Sequence, residues 1–195
     1  MESKNEHSNL NITKVSNNSL FLSKIDIDEQ LVKVWLNNRR FKATLLFRMT
    51  EDGYYYSSFH DKCDNKGITI TFIETTTGMK FGGYTELNWD TSEKDKTDDA
   101  TFLFDFNLRE KYIKNKNTYS IGCYRNDGPK FGWGPQIGFH FSKNNQIKQG
   151  WSVKDKDNPF ALKESFYSNL RKDNPNVYNY YWDTKELEVY KIEYY

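Results

Sequence analysis

The chain has 195 residues and a mass of 23.2 kDa, with 28 Lys and Arg against 27 Asp and Glu for a net charge of +1. That suits one domain and argues against a nucleic-acid binder, whose signature is a basic excess. Mean hydropathy is −0.90 and no apolar run is long enough to cross a bilayer, yet five Trp, 14 Tyr and 14 Phe supply nearly half of the 36% apolar residues, so rings of about 150–250 Å² each can fill a core.

Residues 1–24 are polar and aperiodic, which predicts a flexible N-terminal tail ahead of a domain over residues 25–195. The first residues have neither the apolar stretch of a secretory signal nor the Arg-rich pattern of a transit peptide, which points to the cytoplasm. The sequons Asn11-Ile12-Thr13 and Asn17-Asn18-Ser19 then read as chance matches in an Asn-rich chain. Cys63 and Cys123 make no disulfide framework and read as reduced thiols.

Asp26, with Glu29 three residues on, resembles a capping box for a helix carrying Leu31, Val34 and Trp35 on one face and ending at Asn37-Asn38. Ala43 to Arg48 reads as a strand and Asp52-Gly53 as a turn. Ser57 or Ser58 can cap a short helix that carries Phe59 and Cys63 on one face, and Gly67 suits the left-handed position that ends it. The period then changes to two. Ile70 and Phe72 alternate with Thr69 and Thr71, Lys80 to Thr85 follows, and Phe102, Phe104 and Phe106 face away from Leu103. Between these, Asp90 to Asp99 holds no large apolar residue and predicts a solvated loop. Thr118 to Arg125, Ile137 to Phe141 and Leu187 to Tyr195 read as later strands, with a turn at Asn126-Asp127-Gly128-Pro129. Asp155 to Asp183 predicts an irregular segment with one short helix near Leu162 to Leu170. Turn-linked strands with few helices predict an α+β, mainly β fold: a sandwich of two antiparallel sheets flanked by short helices.

No set of residues makes a convincing catalytic centre. His60 and Cys63 share a helix, but zinc needs three or four ligands and no second spaced pair exists, so no metal is expected. Cys63 with His140, or Cys123 with His60, could form a thiol–imidazole pair, though nothing flags either thiol as activated. Glu86 and Asp90 flank Trp89, a carboxylate pair that glycoside hydrolysis would use and that loop entries commonly carry anyway. No Gly-x-Ser-x-Gly elbow or phosphate loop is present. The glycines in Phe81-Gly82-Gly83-Tyr84 and Phe131-Gly132-Trp133-Gly134 are best explained by rings folding over a strand.

In series, these segments resemble the TLDc family. The resemblance rests on Leu46-Phe47-Arg48, Asp52-Gly53, Phe59-His60-Asp61-Lys62-Cys63-Asp64-Asn65-Lys66-Gly67, Phe81-Gly82-Gly83-Tyr84-Thr85, Trp89-Asp90, Ala100-Thr101-Phe102-Leu103-Phe104, Gly128-Pro129-Lys130-Phe131-Gly132-Trp133-Gly134 and the closing Leu187 to Ile192. Each is weak alone; their shared order and spacing are specific. The resemblance implies a β-sandwich, protection against oxidative damage, and binding to the rotary proton pump V-ATPase. It implies no catalytic residue and no cofactor. The chain departs from the family pattern at Glu51, where Arg is common, and at Pro135-Gln136-Ile137, where His-Asp-Leu is usual.

The expected function is a non-catalytic protein-interaction module acting on V-ATPase. The alternatives are a structural subunit of another large assembly, or a redox-linked enzyme using a cysteine. The expected structural motif comprises Asp52, Gly53, Phe59, His60, Cys63, Gly67, Gly82, Gly83, Trp89, Gly132 and Gly134. Tyr54, Tyr55, Tyr56, Trp133, Pro135, Gln136, Tyr178, Tyr180, Tyr181 and Trp182 are the candidate contacts with protein partners, because Tyr and Trp favour interfaces.

Overall fold

The chain enters the fold earlier than its polarity predicts. The computed structural model describes residues 19–115, 118–132, 137–139, 148–153, 160, 162–167, 171–172 and 179–195. Within these, Phe21 and Ile25 are buried, so residues 19–24 are a strap packed on the domain and not part of a flexible tail. The strap's Ser19 hydroxyl and the backbone N–H groups of Leu20 and Phe21 donate to the Glu29 carboxylate. Glu29 is therefore the strap's acceptor, and the cap of α1 (Glu29–Trp35) is Asp28, which accepts from Leu31 N–H at 3.0 Å. The buried face of α1 is Val32 and Trp35, with Leu36 following, while Val34 is 57% exposed. The predicted stripe was thus rotated. The helix stops at Asn37 and Asn38, whose φ values of 57° and 55° lie in the left-handed region that Asn tolerates.

Next come β1 (Phe41–Arg48), one helical turn α2 (Met49–Asp52) in place of the expected simple turn, and α3 (Tyr56–Cys63). Gly53 follows α2 at φ 102°. The N-cap of α3 is Tyr55, with no side-chain bond, so neither predicted serine caps it. Phe59 and Cys63 are fully buried, as their spacing predicts. The strands β2 (Thr69–Thr75), β3 (Lys80–Thr85), β5 (Phe102–Asp105) and β6 (Glu110–Ile113) follow, with β4 (Lys94–Lys96) between β3 and β5. Later elements are β7 (Ile121–Cys123), β8 (Gln149–Val153), α4 (Glu164–Tyr167), β9 (Arg171–Lys172) and β10 (Asn179–Tyr194).

The main antiparallel sheet has the order β1-β10-β2-β3-β5-β6. Central β2 is buried at every residue, which explains its run of Ile, Phe and Thr. The 16-residue β10 belongs to both layers. From Thr184 it pairs with β2, with a register shift between Thr184 and Glu186, and from Glu188 also with β1, whereas Asn179 to Asp183 pair with β8 and Tyr180-Tyr181 with β9. Bridges Ile121↔Phe131, Phe131↔Ile137 and Gly138↔Trp151 link β7 to β8. The end of the predicted irregular segment is therefore strand. So is part of the predicted loop: Lys94 to Lys96 pair with β7 along one edge, without any apolar residue.

Two cores result. Phe47, Ile73, Phe81, Leu103, Leu187 and Val189 face Ile121, Phe131, Ile137, Phe139 and Trp182 between the layers. On the other side of the main sheet, Ile70, Phe72, Phe102, Phe104 and Tyr190 pack under Phe21, Ile25, Val32 and Trp35. The Phe102/Phe104 face and the Leu103 face separate as their alternation predicts.

Candidate functional site

Two glycines show how the rings are seated. A Cβ on Gly83 would lie 2.5 Å from the Phe131 ring, and one on Gly82 would lie 1.9 Å from the Thr71 carbonyl and 2.7 Å from the Phe104 ring. Strand β3 thus carries rings flat on both faces, as the aromatic–glycine pattern predicts. Gly150, which sequence reading missed, does the same beneath Trp182, whose ring atoms would stand 2.1 Å from its Cβ.

His60 is a structural hub. Its Nδ1 is 2.8 Å from the Asp64 carboxylate, and its Nε2 is 3.1 Å from the carbonyls of both Tyr124 and Asp127, to which it can only donate. It ties α3 to the turn after β7. Cys123 Sγ instead donates to the Asn88 carbonyl at 3.7 Å. Cys63 faces the core, and no group of three His, Cys, Asp or Glu fit to hold a metal occurs among the described residues. His140 lies outside the described residues.

Both thiols are buried. Burial pushes Cys63 far above the ordinary thiol range, with Asp64 and Asp52 adding to it. Burial also pushes Cys123 up to about 11, despite the Asp90 backbone and Lys96. Both stay protonated near neutrality, and the thiolate is the reactive form, which weighs against the cysteine-enzyme alternative.

The carboxylates beside Trp89 are similarly occupied. Trp89 is buried, with Nε1–H donating to Thr69 Oγ1 at 2.9 Å. Asp90 accepts from Lys96 Nζ at 2.6 Å and from Ser92 N–H, and Glu86 accepts from Tyr84. Burial opposes ionisation of Asp90, but Lys96 and Ser92 outweigh it and hold the carboxyl at about 2.

A buried polar network holds the strap. Glu188 is fully buried on β10 and accepts from Arg48 Nε at 2.7 Å, Lys24 N–H at 2.9 Å, Tyr190 OH at 3.1 Å and Ser23 OH. Arg48 also donates to the Leu22 carbonyl and to Glu51, which pairs with Lys24 at 2.9 Å. The departure from the family pattern at Glu51 thus closes an ion-pair network. Lys24 and, after it, Arg48 hold its carboxyl below the usual range. A buried carboxylate with this many donors acts as a fixed anchor.

The proposed contact rings divide. Tyr56, Tyr180 and Trp182 are buried at 2%, 8% and 3%, which removes them as surface contacts. Alternation puts Tyr180 and Trp182 on the inner face of β10, and Trp182 packs on Phe81 and Phe139. Tyr54 is partly buried beneath Lys148 Nζ, 4.9 Å from its ring, and Tyr181 is half-buried. Tyr55 remains exposed at 51%. Trp133, Gly134, Pro135, Gln136 and Tyr178 lie outside the described residues. Leu22, Val34, Ile113 and Tyr119 are exposed apolar residues that sequence reading missed; periodicity marks apolar faces, not the absence of a neighbour.

The TLDc domain family model matches residues 16–193. The chain belongs to the TLDc family. A comparison with curated proteins finds no match. The start of the TLDc match at residue 16 agrees with the buried strap, and the motif residues Phe59, Cys63, Gly83, Trp89 and Phe131 of this TLDc domain all meet between the layers. No described helix is long and apolar enough to cross a membrane.

Proposed function

We propose that this TLDc domain is a non-catalytic protein-interaction module that binds and regulates the V-ATPase in the cytoplasm and contributes to protection against oxidative damage. The observation that carries the reading is the TLDc match over residues 16–193. The chemistry of the described residues supports it: His60, Glu188, Asp90 and both thiols are committed to packing and hydrogen bonds.

Affinity purification of the tagged chain from its source cells tests the reading. Enrichment of pump subunits with a change in assembled pump supports it; recovery of none overturns it. Peroxide survival with Cys63→Ser and Cys123→Ser chains separates binding from thiol chemistry. Equal protection by variants and wild type excludes the thiols.

In a second reading the domain is a structural subunit of another assembly, with exposed Tyr55 as a contact ring. Co-purification at fixed stoichiometry with proteins other than the pump would select it.

A further inference from the structure

Resting on the reading of a protein-interaction module, we propose that the cleft between the end of α1 and the start of β1 is the docking site for an acidic peptide segment of the partner. The cleft is lined by Leu20, Lys33, Asn38, Arg39, Arg40 and Phe41, with Tyr195 at its rim, and encloses about 220 Å³. Three of those side chains are cations and none is a carboxylate.

In a chain of net charge +1 this is a local asymmetry, offset at Lys33 by Glu29 one helical turn away. Among the described residues no carboxylate lies within ion-pair distance of Lys33, Arg39 or Arg40. Glu29 accepts from the strap and Glu193 pairs with Lys191 at 2.9 Å. Glu86, which shares a second pocket with Arg39, accepts from Tyr84 OH at 2.9 Å.

The two arginines are also held in place. The Arg39 guanidinium lies 3.4 Å from the centroid of the Tyr194 ring, and that of Arg40 lies 5.1 Å from the Tyr195 ring. Tyr194 covers one face of the Arg39 guanidinium, and both arginines are exposed, so their N–H edges, the part that grips a carboxylate bidentately, are accessible. Leu20 and the Tyr195 ring supply apolar walls beside the charges. Carboxylates spaced along a peptide fit this mixture of forks and apolar surface better than a flat anionic bilayer does, because the cations converge on a cleft. The site adjoins β1, one of the two edge strands of the main sheet, so an extended segment has a sheet edge to follow.

The test is fluorescence anisotropy with labelled hexaglutamate. Hexalysine, inorganic phosphate and phosphatidylserine vesicles serve as competing probes. Wild type should bind hexaglutamate and lose affinity as salt rises. Arg39→Glu/Arg40→Glu should weaken binding by about tenfold or more, since like charges then face the peptide. Lys66→Glu/Lys94→Glu makes the same net-charge change at exposed sites elsewhere and should bind as wild type does, and both variants should melt with it.

No binding of hexaglutamate by wild type, or equal losses in the two double variants, overturns the proposal. So does preferential capture by the vesicles, or full competition by phosphate alone. If Arg39→Glu/Arg40→Glu still recovers pump subunits at wild-type levels, this cleft fails while the interaction reading stands. If wild type recovers none, that reading fails independently of the peptide measurement.

Discussion

Gly83→Ala measures how tightly the two layers are locked together. The new methyl would lie 2.5, 2.6 and 2.7 Å from three carbons of the Phe131 ring, about 1 Å inside ordinary carbon–carbon contact. The ring has little room to retreat. It is fully buried, stands edge-on to Trp89 with centroids 5.4 Å apart, and its backbone bridges Ile121 and Ile137. Overpacking of this kind costs about 1–3 kcal/mol. Replacing Gly by Ala returns about 0.4–1 kcal/mol through the unfolded chain. Overpacking wins, with a net loss of about 1–2 kcal/mol and a fall in Tm of about 5 °C for a domain of this size. Gly83→Val should cost more, because two further methyls meet the same ring. Calorimetry on Gly83→Ala, Phe131→Leu and the double variant gives the cycle. In the Phe131→Leu background the methyl has space, so the glycine change should be milder by about 1 kcal/mol. A Gly83→Ala chain melting within about 1 °C of wild type, a shift worth well under 1 kcal/mol, refutes the steric argument. So does an equal cost in both backgrounds.

Glu188→Ala leaves Arg48 buried with only Glu51 as an acidic partner, which should cost about 3 kcal/mol and release the strap. Limited proteolysis should then cut between Leu22 and Lys24, and unchanged resistance there would refute the anchoring role. Asp90 titrates at about 2 when folded against an ordinary value of 3.8, so its stabilisation is complete above about pH 4 and lost as pH falls through about 2. The stability gap between wild type and Asp90→Asn should therefore shrink between pH 5 and pH 2.5 in denaturant unfolding; a constant gap would count against the Lys96 pairing. Cys63 and Cys123 should resist a thiol-labelling reagent at pH 8 until denaturant is added, and native labelling at the rate of a free thiol would contradict their burial.

Much of the site's frame is legible along the chain because it rests on local pattern. Phe59 and Cys63 one helical turn apart, Phe102 and Phe104 opposite Leu103, and glycines beneath rings each state which face is buried. The misreadings arise where a distant partner decides. Val34 and Val32 are equally apolar, but only Val32 meets the sheet. Lys94 to Lys96 have no strand pattern and pair because β7 lies alongside. The strap reads as a tail because its affinity for the domain comes from Glu188, 165 residues away from Ser23.

The sequence by itself determined the family, the antiparallel mainly β architecture and the ring-over-glycine packing, since periodicity, turn residues and ordered motifs are properties of neighbours in the chain. The tertiary structure alone decided which rings remain on the surface, which acids are already bonded, and where three cations converge without a carboxylate. Those are properties of residues far apart in sequence, and only folding fixes the distances between them.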